Sequence, residues 1–151
     1  MKTAKIIPFI TTAILVCMIF GFSSQKAVDS ANMSRGITQK VVDIIYRDKP
    51  EEVKTKKVNE IHGFIRKTAH FTLFFALGIS SAAMFYVLGK KPYYAWGFCL
   101  LNAITDETHQ FFVGGRAPMI KDVVIDAAGA MMGVLVVVTV RRIWGRSNGH
   151  G

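Results

Sequence analysis

Thr105-Asp106-Glu107-Thr108-His109-Gln110 closes an apolar run that begins near Tyr93 and is followed by Phe111-Phe112-Val113-Gly114-Gly115-Arg116. The run has the length and apolar character of a membrane-crossing helix, yet two acids and a histidine stand near its end. Burying one charge in hydrocarbon costs roughly 3 kcal/mol on insertion scales. Ionisable groups held at that depth mark a polar site at a membrane face, and the rest of the chain must say what kind.

The surrounding sequence agrees with a membrane setting. Of 151 residues 51% are hydrophobic and 11 are Phe, and the mean hydropathy is +0.33. The apolar residues come in blocks, so burial against lipid and between helices is expected in place of a large water-soluble core. Four blocks predict four helical spans, at about 6–22, 68–88, 93–113 and 123–140. The first resembles a signal peptide in outline. However, Phe20-Gly21-Phe22-Ser23-Ser24 is a poor cleavage site, so an uncleaved helix is expected. Gly89-Lys90-Lys91-Pro92 ends the second block with a stop-and-turn signal, and Arg141-Arg142 closes the fourth. The fold class expected is all-α: an integral membrane four-helix bundle forming one domain over 1–151.

The formal charge is +9. The basic residues are scattered between spans and accompany no recognition motif, so they are read as topogenic and headgroup-facing, and nucleic acid is not an expected partner. Lys2, Lys5, Lys90, Lys91, Arg141, Arg142 and Arg146 fall on one side of a four-span chain. The positive-inside rule makes that side cytoplasmic and puts both termini there. The segment 23–67 strains this orientation, since it carries ten Lys/Arg against six Asp/Glu on the outer side. Two arrangements are open for it. Ile37, Val41, Ile44 and Ile45 recur at helical spacing after Ser34, a predicted N-cap, and Val53, Lys57, Ile61, Phe64 and Ile65 do so after Pro50. They can form amphipathic helices on the outer leaflet or a solvated helical hairpin packed on the bundle.

Cys17 and Cys99 lie inside apolar runs and read as buried small hydrophobes. No Cys/His spacing suggests a metal, and no cofactor is expected. The polar residues do share helical faces. Asp106 and Gln110 are four apart, Glu107 and Gln110 three apart, and Asp122 and Asp126 four apart. Arg66 and Lys67 precede His70 by one turn. Gly129 and Gly133 form a small-xxx-small surface for close helix approach. Mapped onto the spans, all these groups fall at one depth, with Arg116 in the connecting loop.

Two readings of the cluster are open. Lys67 and Arg116 suit an anionic headgroup, and carboxylates beside an imidazole suit acid-base work, which makes Glu107 and His70 the candidate catalytic groups. Alternatively the charges are structural ion pairs, such as Asp126 with Arg66 or Glu107 with Arg116. Ser23 and Ser24 are the hydroxyl groups nearest that face. No Walker loop, G-x-S-x-G or H-E-x-x-H occurs.

The ordered blocks Phe22-Ser23-Ser24-Gln25, Arg66-Lys67-Thr68-Ala69-His70-Phe71, Asp106-Glu107-Thr108-His109-Gln110 with Gly115-Arg116, and Asp122-Val123 with Asp126 and Gly129 resemble the VanZ-like family. That family comprises small bacterial membrane proteins, and its namesake is associated with low-level resistance to the glycopeptide teicoplanin. Position by position, the resemblance carries over to Ser24, Gln25, Lys67, His70, Asp106, Glu107, Gln110, Arg116 and Asp122. Asp126 departs from it, since the family often has Asn there, and Val113-Gly114-Gly115 replaces a more usual Pro-Gly. With Arg66 and Asp126 these residues form the expected ligand-binding set. The expected partner is a membrane lipid or a lipid-linked cell-wall precursor. The alternatives are an integral membrane hydrolase or transferase acting on a lipid-linked phosphate, and an assembly factor whose ion pairs pin the helices.

Overall fold

The structure is a computed structural model that describes residues 2–24, 27–114 and 119–147, with side chains for all of these except 2–4, 27–34, 62, 113–114 and 146–147. The described residues form five helices and no strand: α1 (Lys2–Ser23), α2 (Ala27–Ile45), α3 (Glu51–Val87), α4 (Pro92–Gly114) and α5 (Ile120–Ser147). The all-α expectation holds. By length and composition Lys5–Ser23, Glu51–Val87 and Ile120–Gly145 suffice to cross a membrane. With its polar run, α4 does not reach that class, although its 23 residues have the length. The average hides the distribution: Asp106 and Gln110 are buried, whereas Leu101, Ile104, Phe111 and Phe112 are exposed.

Two local readings change. α3 is continuous over 37 residues, about 55 Å at a rise of 1.5 Å per residue, so the second apolar block and the amphipathic pattern before it are one helix. About 30 Å suffices for the hydrocarbon core, so the N-terminal part of α3 runs beyond it. α2 begins at Ala27, which puts Ser34 inside the helix rather than at its cap. α2 packs on α3, as in the hairpin arrangement, and Thr38 and Val42 of α2 and Val58 of α3 are buried. Ile37, Val41, Ile44 and Ile45 nonetheless remain exposed, leaving an apolar stripe on α2 uncovered.

The bundle is built from α1, α3, α4 and α5. Its innermost layer takes residues from each: Ile19, Phe74, Leu77, Cys99, Ala103 and Ala130. Cys99 is buried as expected, but Cys17 is exposed on α1, because an apolar neighbourhood along the sequence does not place a residue on the inner face of the bundle. Thr12 and Ser80 hydrogen-bond across α1 and α3 at 2.7 Å, and the Ser80 hydroxyl reaches the Pro8 carbonyl at 3.2 Å. This polar tie inside an apolar layer was not visible in the sequence.

α3 and α5 make the closest approach. A Cβ on Gly129 would stand 2.6 Å from the Phe71 carbonyl oxygen. One on Gly133 would collide with the Phe75 carbonyl oxygen, and one on Gly78 with that of Ala130. The small-xxx-small surface therefore faces α3, and because 71 meets 129 and 75 meets 133, the two helices run parallel. α3 ends in a Schellman turn: Gly89, at φ 67°, donates to Tyr86 and Lys90 donates to Phe85, each at 2.9 Å. Pro92 then opens α4.

Candidate functional site

One turn beyond the innermost apolar layer, each bundle helix changes from apolar to polar on the same face. Ile19 is followed by Ser23 on α1 and Ala103 by Asp106 on α4, while on α3 and α5 His70 precedes Phe74 and Asp126 precedes Ala130. Because α3 and α5 run opposite to α1 and α4, all four polar positions fall at one end of the bundle. Ser23, Asp106, Gln110 and Asp126 are 3%, 1%, 7% and 5% exposed. A buried layer of this kind must find its hydrogen bonds inside the protein.

Gln110 is its bridge. Its Nε2 donates to Ser23 Oγ at 3.0 Å and to Asp106 Oδ2 at 2.9 Å, linking α1 to α4 and fixing one carboxylate oxygen. The other, Asp106 Oδ1, has no hydrogen-bond partner. Beside it His70 Nδ1 stands 3.9 Å from Asp126 Oδ2. Towards the surface, Asp122 faces two cations, with Lys67 Nζ 3.5 Å from Oδ1 and Arg66 Nη2 3.9 Å from Oδ2. Both distances exceed the roughly 2.7–2.9 Å of a charge-assisted hydrogen bond. A narrow cleft of about 10 Å³, room for about one water, lies among Arg66, Lys67, His70, Glu107, Asp122 and Asp126.

Parallel register explains the pairing. It puts residues 66 and 67 beside 122, and 70 one turn deeper beside 126. The pair expected between Asp126 and Arg66 is therefore replaced by Asp126 with His70 and Asp122 with Arg66. Glu107 accepts the Met119 backbone N–H at 2.7 Å and so anchors the approach to α5. The partner expected for it, Arg116, lies outside the described residues, as does Gln25.

A family model described as VanZ/LLP1 matches residues 9–141. The chain belongs to the VanZ/LLP1 family. No curated protein and no solved structure matches it. Of the residues carried over from the VanZ resemblance, Lys67, His70, Glu107, Gln110 and Asp122 line the cleft, with Arg66 and Asp126 beside them. Asp106 lies in the layer beneath. Ser24 sits at the edge, where its hydroxyl lies 2.7 Å from the Phe20 carbonyl and 3.0 Å from His109 Nε2. His109 packs edge-on against Phe20, so it serves the α1–α4 contact.

Ser23, which the expected binding set omitted, belongs to the buried polar layer. Its signal was available, since it stands four residues after Ile19, but α1 shows no polar stripe that would separate Ser23 from Ser24. As a chemical device the assembly offers two cations at a half-open mouth, an imidazole between mouth and floor, and two buried carboxylates beneath.

Proposed function

We propose that this membrane protein binds the anionic headgroup of a lipid or a lipid-linked cell-wall precursor at the cleft, on the outer face of the bacterial plasma membrane with both termini cytoplasmic. The observation that carries the reading is the sharing of Asp122 by Arg66 and Lys67. Two permanent cations face one carboxylate at distances too long for strong hydrogen bonds. Their donors remain available to a phosphate, for which a forked guanidinium contact and an ammonium point charge are well suited. Side-chain exposures of 26% for Arg66 and 38% for Lys67 leave both reachable from outside the bundle. Occupancy of an outer-leaflet cell-wall precursor would lower the access of a glycopeptide to its target, which connects this reading to the teicoplanin tolerance implied by the family resemblance.

Native mass spectrometry of the protein extracted in mild detergent tests the reading. An anionic lipid species should remain bound to the parent chain and be lost in Lys67→Ala with the melting temperature retained. The same lipid profile in both proteins would sink it.

A second reading has its own support. His70 lies beside Asp126 at 3.9 Å and within the same cleft as the two cations, an arrangement that suits a membrane hydrolase or transferase acting on a lipid-linked phosphate. Product formation from labelled lipid-linked phosphates distinguishes it from simple binding. In the assembly-factor reading, charge-removing variants lose folded protein before they lose any ligand.

A further inference from the structure

The described part of the cleft is rich in carboxylates. Among the described residues Asp106, Glu107, Asp122 and Asp126 lie at it or beneath it, and Arg66 and Lys67 are its permanent cations. His70, Asp106 and Asp126 come from α3, α4 and α5, and one ligand-type atom of each lies within 4.8 Å of the others. A second observation is independent of the clustering. Asp106 is 1% exposed and its Oδ1 has no hydrogen-bond partner, whereas Gln110 holds Oδ2. A buried carboxylate oxygen left without a donor is costly, and a cation satisfies it. Gln110 and Ser23 supply the outer support that fixes a metal-binding carboxylate in orientation.

We infer that His70, Asp106 and Asp126 form a binding site for one divalent transition-metal cation of the Zn²⁺ or Mn²⁺ class. One imidazole and two carboxylates suit these ions better than Mg²⁺ or Ca²⁺, which favour oxygen alone. Bonds of about 2.0–2.2 Å place ligand atoms about 3.5 Å apart in a tetrahedral site. Side-chain rotation of about an ångström closes the observed spacing, with the backbones fixed by the α3–α5 contact. Three protein ligands leave at least one coordination position for water or a ligand oxygen, and the neighbouring cleft has room for about one water. The positions 70, 106 and 126 form no local motif, so the absence of metal-type spacing in the sequence is no guide to this site. The inference does not depend on headgroup binding, because cation uptake is measured without added lipid.

The test uses the full-length chain, free of any histidine tag, in detergent after chelator treatment. Calorimetric titration with Zn²⁺ should saturate at one equivalent per chain, and Co²⁺ should give visible absorption bands that rise to the same point. Asp106→Asn and Asp126→Asn should each weaken Zn²⁺ at least tenfold, while Glu60→Gln, on the exposed face of α3, binds like the parent. Lys67→Ala should keep the cation even where it loses lipid, which separates this inference from the headgroup reading. Absence of a saturable equivalent, or parent-like affinity in both Asp variants, overturns it. Should those variants fail to fold, His70→Gln decides: Co²⁺ bands unchanged by that substitution exclude His70 as a ligand and overturn the site.

Discussion

Gly129 of α5 lies against the backbone of Phe71 on α3, so close that a Cβ would stand 2.6 Å from the Phe71 carbonyl oxygen. Phe71 is the residue after His70, and Gly129 comes one turn after Asp126. The glycine contact therefore sets the distance between the His70 ring and the Asp126 carboxylate. Gly129→Leu should lower stability by about 1–3 kcal/mol, the usual cost of overpacking, and displace the two polar side chains together. Gly97→Ala meets nothing within 4 Å and should melt at or above the parent temperature. Thermal unfolding in detergent compares the two; equal melting of both variants would show that the α3–α5 approach is looser than described.

Asp122 competes with any anion for Arg66 and Lys67. Lys67→Ala should weaken retention of anionic lipid several-fold. Asp122→Asn should leave it equal or stronger, because the carboxylate that neutralises the cations has gone. Loss of retention in Lys67→Ala without loss in Asp122→Asn is expected only from a binding site. If both substitutions merely lower the melting temperature by similar amounts, the pairs are structural pins. Native mass spectrometry and thermal melts on the same samples decide.

Gln110 should couple Ser23 to Asp106. Gln110→Leu removes both hydrogen bonds and leaves buried oxygens unsatisfied, at a cost of about 1–3 kcal/mol. Ser23→Ala should cost less, since Gln110 keeps its bond to Asp106 at 2.9 Å. The double variant should be no worse than the sum of the singles and measurably better if the bridge is one unit. A strictly additive cycle in denaturant or thermal unfolding would deny the coupling.

Glu107 accepts a backbone N–H at the approach to α5. Glu107→Gln keeps an acceptor oxygen and should cost no more than about 1 kcal/mol, whereas Glu107→Ala loses the anchor and should cost more. Equal melting of the two would show that the contact to Met119 contributes nothing. A Glu107→Gln variant that is fully folded but unable to turn over a labelled lipid phosphate would instead favour the enzyme reading.

Orientation is tested on a chain in which Cys17 and Cys99 are both replaced. With Gly114→Cys in that background, an impermeant thiol reagent should label intact cells if the cleft is outside. With Lys90→Cys it should label only after lysis. The reverse pattern inverts the protein in the membrane.

The sequence by itself determined that the chain is all-α, where the polar residues would lie along each helix, and that they would fall at one depth. Those properties follow from the local period of 3.6 residues and from the length of each apolar block, both of which are written residue by residue. The Gly129–Gly133 surface was equally legible, because small residues at that spacing leave one face of any helix open. Which helix fills that face is not a local property. Tertiary structure decided that α3 does so, running parallel to α5, and this register assigned Asp122 to Arg66 and Lys67 and Asp126 to His70. It also chose Ser23 over Ser24 for the buried layer and made one helix of α3. Partner choice depends on the rotation and offset of one helix against another, which are set by the packing of backbone on backbone and appear nowhere in the periodicity of a single segment.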